Sequence, residues 1–165
     1  MSTGNYVIQQ VFTCGDEEHH EAILKTLIKN DSLFKLAKHK YASNVIESVL
    51  DKGKVHHKRY IVEDMLKDTH EEVGGYCVVV ELSKDSIGNF VVNKAIEKSD
   101  ADLQDKFVEV ISHAREDLIS SPYAKYVLAR VDKLVKQRVY NEKGDGGRTT
   151  PVSQLQLGTK PSHPW

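Results

Sequence analysis

Four short segments of this 165-residue sequence set chemically useful side chains at one constant spacing. Gly4–Phe12 carries Asn5, Tyr6 and Gln9, and Ala42–Leu50 carries Ser43, Asn44 and Glu47. Gly88–Ile96 carries Asn89, Phe90 and Asn93, and Ala124–Asp132 carries Lys125, Tyr126 and Ala129. Polar residues four apart on a helix lie on one face, and a planar side chain beside the first can stack. Such a trio can grip the edge of a flat heterocycle while covering its face. The splayed bases of single-stranded RNA are ligands of that kind. One such pattern alone reads better as the solvated surface of a protein-binding repeat. Three in phase on a defined face reverse that balance.

The elements that must position these trios are helices. At about 100° per residue, Val7, Ile8, Val11 and Phe12 gather on one side, as do Val45, Ile46, Val49 and Leu50. Asn5, Tyr6 and Gln9, and their counterparts, project from the other side. The segments follow one another at 38, 46 and 36 residues, and Leu36-x-Lys38, Leu82-x-Lys84 and Leu118-x-Ser120 precede three of them at equal distance. A period in this range is the signature of a solenoid. The longer middle interval is taken up by a loop over Asp68–Gly75. Helical stripes also occur at Ile23, Leu24, Leu27 and Ile28, and at Phe107, Val108 and Ile111. Tyr76–Leu82 is β-branched enough for a strand, but no second such run could pair with it, so a buried helix is expected. The chain reads as all-α, an array of helical repeats. Pro122 is the only proline before residue 141, whereas 141–165 holds the other three and four of the ten glycines. That segment is expected to be a disordered tail.

Composition narrows the function classes. With 23 Lys+Arg against 24 Asp+Glu, no charge excess supplies non-specific nucleic-acid affinity, although reading bases from one face needs none. Hydrophobic residues at 39% and charged residues at 28% suit a soluble globular chain. No apolar run approaches the ~20 residues of a membrane span, and no secretory leader is visible at Met1. Cys14 and Cys77 are too few for a disulfide framework and are expected to be buried or inert. A reducing intracellular compartment fits them. His19-His20 and His56-His57 suggest metal, but adjacent residues on a helix diverge by about 100° and no third ligand follows at a recognised spacing. Surface histidines, with no metal or cofactor, are expected. No nucleophile is paired with a base, and Gly144–Gly147 follows no strand, so an enzyme is not expected.

The pentads Asn5-Tyr-x-x-Gln9 and Ser43-Asn-x-x-Glu47, with their flanks Gly-Asn-Tyr-Val-Ile-Gln and His-Lys-Tyr-Ala-Ser-Asn-Val-Ile-Glu, resemble the Pumilio (PUF) family of RNA-binding repeats. The resemblance covers about residues 4–138 and is to the C-terminal end of that domain. It implies a right-handed α-solenoid, here a partial array. Residues 1–15 would be the second half of an incomplete repeat, 16–53 and 54–101 complete repeats, 102–140 a closing half-repeat and 141–165 the tail. The family's concave helices read one base each, and its C-terminal repeats read a 5′ UGU. Carried over, Asn5 and Gln9 would hold a uracil edge with Tyr6 stacking. Ser43 and Glu47 would hold guanine, with Asn44 between bases. Asn89 and Asn93 would address the first uracil with Phe90 stacking, although Asn93 stands where the family usually has the longer Gln. Tyr126 would stack in the last unit, where Ala129 reads nothing, and Lys38, His39, Lys84 and Lys125 are candidates for backbone phosphates. The implied role is cytoplasmic binding of messenger 3′-untranslated regions and control of message stability or translation, with no DNA or membrane partner. A regulatory protein on the convex face or the 68–75 loop would be a second partner. The alternative is a protein-interaction scaffold, or a fragment with little RNA affinity of its own, since the repeats preceding residue 4 are absent. The same absence leads to the expectation that the apolar face of residues 5–14 lacks part of its packing.

Overall fold

The computed structural model describes residues 3–28, 32–67 and 77–144. All regular structure among them is helical: α1 (Thr3–Cys14), α2 (Glu17–Ile28), α3 (Ser32–Ala37), α4 (Ala42–Lys52), α5 (Val55–Met65), α6 (Val78–Lys84), α7 (Gly88–Lys98), α8 (Ala101–His113), α9 (Arg115–Ile119) and α10 (Ala124–Gly144). The β-branched run forms α6 and buries Val78, Val79, Val80 and Leu82 completely or nearly so. The 68–75 loop lies outside the described residues, as does 145–165. Within the segment expected to be a tail, α10 continues through Gly144. None of the described helices is long and apolar enough to cross a membrane.

The helices recur in threes after α1: α2–α4, α5–α7 and α8–α10. Packing places α4 between α1 and α7, and α7 between α4 and α10, so the four helices bearing the trios form one row. Behind it the short helices α3, α6 and α9 pack against one another and against that row. One core runs through the array, built on Leu33, Ile46, Leu50, Ile61, Leu82, Ile96, Phe107 and Leu118, each 0–1% exposed. Burial of each such side chain contributes about 1.5–3 kcal/mol. This is why an array of short helices holds together without a disulfide; Cys77 is half-buried, while Cys14 is exposed rather than buried.

The start of three row helices, α4, α7 and α10, is set by a residue three positions earlier. His39 Nδ1 accepts from the Tyr41 and Ala42 amides at 3.3 Å. Asp85 Oδ1 accepts from Ile87 and Gly88 at 2.9 and 2.8 Å, and Ser121 Oγ from Tyr123 and Ala124 at 3.4 Å. These acceptors satisfy backbone donors that the first helical turn leaves open. Different residue types perform one task in one register, which is how the period survives weak sequence identity.

Gly88 marks the tightest approach between α6 and α7. A Cβ there would stand 2.8 Å from the Leu82 carbonyl oxygen and 3.1 Å from Leu82 Cα. The same position holds Ala42 in α4 and Ala124 in α10. Gly88→Ala is therefore expected to force α6 and α7 apart at a cost of roughly 1–3 kcal/mol, the range for overpacking. Urea unfolding would show it as a lowered midpoint; an unchanged midpoint would mean that the backbone gives way freely.

Packing fades toward α1. Val45, Val91 and Val127 occupy one register and are 6%, 0% and 0% exposed, whereas Val7 in that register is 54% exposed. No described element covers it, and Val7 and Val11 line a shallow groove with Tyr6, Gln10 and Cys14.

Candidate nucleic-acid interface

The row of α1, α4, α7 and α10 turns a line of planar side chains outward. Tyr6, Phe90 and Tyr126 share one register and are 65%, 59% and 54% exposed. Asn44 fills the same register in α4, half-buried. Large exposed rings at matched positions along one row of helices are costly to leave in water and suited to stacking. Lys125 Nζ sits 5.0 Å from the centre of the Tyr126 ring, adding a cation to the end of the row.

The edge-reading positions are presented unequally. Ser43 and Asn89 are 2% and 1% exposed, not projecting as a helical wheel suggests. The reason in α7 is local: Asn89 Nδ2 donates to the Asp85 and Ser86 carbonyls at 2.8 and 3.0 Å, turning the amide back along its own helix. Its Oδ1 is buried and makes no hydrogen bond among the described residues. The second member of each pair is better placed, since Glu47 and Asn93 are both half-buried. Asn5 and Gln9 lie on α1, but their side chains fall outside the described residues.

Glu47 sits in a groove between α4 and α7 with Asn44, Ser48, Asp51, Lys52 and Lys94. Burial raises its carboxyl above the ordinary glutamate value, and the positive charge of Lys94 works in the opposite direction. Asn93 is held from two sides: its Nδ2 donates to the Asn89 carbonyl at 3.1 Å, and its Oδ1 accepts from Arg130 Nε at 3.1 Å. Thus the residue that follows the second polar position, Lys94 or Arg130, addresses that position on the preceding helix. Sequence reasoning missed both cations. Their signal was a shared register one residue beyond the pentad, masked because α1 and α4 hold Gln10 and Ser48 there.

This arrangement can be set beside known proteins. The family model for the NOP9-like PUF repeat domain matches residues 1–126. The chain belongs to the PUF repeat family. A Pumilio domain-containing protein of Schizosaccharomyces pombe is 22% identical over 130 residues, 79% of this chain and 18% of that protein. Pumilio homolog 12 of Arabidopsis thaliana is 28% identical over 126 residues, 76% of this chain and 20% of that one. The chain thus spans about a fifth of either relative. Among solved structures, PUF-8 in complex with PBE-RNA superposes with a TM-score of 0.70 at 34% identity, covering 79% of this chain and 36% of that one. The Puf3 RNA binding domain bound to a Cox17 RNA 3′ UTR site matches in fold with a TM-score of 0.65 at 23% identity, covering 86% and 39%.

Around this PUF row, the four candidate cationic or imidazole groups are unequally available. Lys84 is engaged by Glu81 and Asp117 at 2.6 and 2.8 Å, so a phosphate would have to displace carboxylates. Lys38 is exposed, 3.9 Å from Asp85 and over the Phe34 ring. His39 uses Nδ1 to cap α4, which places the neutral ring's proton on Nε2. Lys125 is exposed beside Tyr126. Tyr41 and Tyr123, 45% and 42% exposed and three residues before Asn44 and Tyr126, extend the aromatic surface and were also not singled out by the pentads.

Proposed function

We propose that this chain is a sequence-specific single-stranded RNA-binding module that reads a UGU-type core and acts on messenger 3′-untranslated regions in post-transcriptional control, in the cytoplasm. The observation that carries the reading is the shared register of Tyr6, Phe90 and Tyr126, three exposed rings on α1, α7 and α10 of one row, with Glu47 on α4 between the first two. Membership of the PUF family, and 34% identity to PUF-8, whose structure contains PBE-RNA, support it. Units 16–53 and 54–101 would each address one base. Glu47, ionised, accepts from N1–H and N2–H of guanine, two donors that uracil, adenine and cytosine do not offer together on that edge. Ser43 and Asn89 would turn out from their buried rotamers to assist. Arg130, by holding the Asn93 oxygen, substitutes for reach that the short asparagine lacks, and sets the amide's orientation at the first base.

The test is a binding titration of fluorescent oligonucleotides carrying UGU, UUU or a scrambled core, repeated across pH. Preference for UGU is expected. Because burial raises the Glu47 carboxyl, protons compete with guanine from above the usual glutamate range downward. UGU affinity should hold at neutral pH and fall as pH drops through that raised value, since the protonated acid no longer accepts two donors. Glu47→Gln should flatten the profile. Binding with no base preference would overturn this reading in favour of a scaffold that contacts RNA only incidentally.

A further inference from the structure

We propose that Glu17, Glu21, His56 and His57 form a zinc site that clamps α2 to α5. Glu17 and Glu21 are one turn apart at the start of α2, and the two histidines lie in the first turn of α5. His56 Nε2 is 3.3 and 3.6 Å from Oε1 of Glu17 and Glu21, and His57 Nε2 is 3.4 and 3.5 Å from the same two atoms. All four donor atoms fall within 4.8 Å of one another. A tetrahedral zinc ion with bonds of about 2.0–2.1 Å separates its ligand atoms by about 3.3–3.4 Å. The four nitrogen–oxygen distances are therefore close to the edges of a zinc tetrahedron. Two imidazoles and two carboxylates are a ligand set that zinc accepts.

A second observation points to the same ion. His57 is fully buried, and its Nε2 meets the Glu17 and Glu21 carboxylates at 3.4 and 3.5 Å without a hydrogen bond of good geometry to satisfy it. Such atoms are rare in native proteins, and a bound ion is one of the few ways to account for one. Glu17 pairs with Lys54 through Oε2, which leaves Oε1 for the metal. The Lys54 amide donates to His57 Nδ1 at a long 3.3 Å, which places the neutral ring's proton on Nε2; coordination through Nε2 moves that proton to Nδ1, so the Lys54 amide must turn away as zinc binds. Adjacent histidines with no third ligand at a recognised spacing argued against metal in the sequence. Packing of α2 on α5 supplies the missing ligands from a distant helix.

The test uses the whole chain, stripped with a chelator and titrated with Co²⁺ as the spectroscopic probe and then with Zn²⁺. One equivalent of Co²⁺ should produce the intense visible absorption of a tetrahedral ion, Zn²⁺ should displace it, and Zn²⁺ should raise the thermal midpoint. His56→Ala and Glu21→Gln, neither in the buried core, should each weaken Zn²⁺ binding by at least about tenfold, with the helical circular dichroism unchanged. A weak octahedral spectrum, no saturation at one equivalent, or binding by both variants as tight as the parent's would overturn the proposal. If one variant loses its fold, the other and Glu17→Gln decide the matter by the same readings.

Discussion

Alanine at Tyr6, Phe90 and Tyr126 together is expected to remove most of the RNA affinity while leaving the fold intact. Base stacking on an aromatic side chain is worth about 1–3 kcal/mol per base by alanine substitution, so each ring accounts for roughly fivefold to a hundredfold. All three are more than half exposed, and substitutions at such positions usually change stability by about 0.5 kcal/mol or less. Tyr126→Ala also removes the surface over which Lys125 lies. The measurement pairs an anisotropy titration against a UGU oligonucleotide with a thermal melt of each variant. Affinity within twofold of the parent, with the melt unchanged, would mean that the aromatic row does not stack on bases.

Ser43→Asn combined with Glu47→Gln is expected to move preference from UGU to UUU. The present carboxylate accepts two donors from guanine and repels the carbonyl oxygens of uracil; a neutral amide both donates and accepts, which suits the uracil edge. By analogy with other hydrogen-bonded base readout, each mismatch should cost about 1–3 kcal/mol. Glu47 dominates this switch, because Ser43 is almost wholly buried. Asparagine is nevertheless compatible with that position, since Asn89 occupies its equivalent in α7 with 1% exposure. The parent and double variant, each titrated with both RNAs, make a four-way comparison. If the double variant keeps the parent's UGU:UUU ratio, residues 43 and 47 do not read that base.

The helical array was legible from the order of residues because its signal is repeated. Val45, Val91 and Val127 recur in one register and are buried in the structure as a helix-period stripe requires. The solvent-facing aromatics were legible for the same reason: Phe90 and Tyr126 sit one residue before Val91 and Val127 and point away from the core. Even the ambiguous run that becomes α6 was decided by reasoning that a strand needs a partner. The capping residues were harder to see, since His39, Asp85 and Ser121 share a position but no chemistry beyond a lone pair.

What the chain's order of residues determined by itself is thus local and periodic: helix, register, the inward stripe and the outward rings. Tertiary structure alone decided everything that depends on distance between helices. It buried Ser43 and Asn89, because the beginnings of α4 and α7 are seated against their neighbours and Asn89 bonds back to its own backbone. It joined Arg130 to Asn93 across 37 residues. It also drew Glu17 and Glu21 against His56 and His57, whose separation in the chain hid a common centre. Hydrophobic periodicity specifies which face of a helix turns inward, but polar side chains meet only where two helices cross, and the crossing is set by the packing of the whole core.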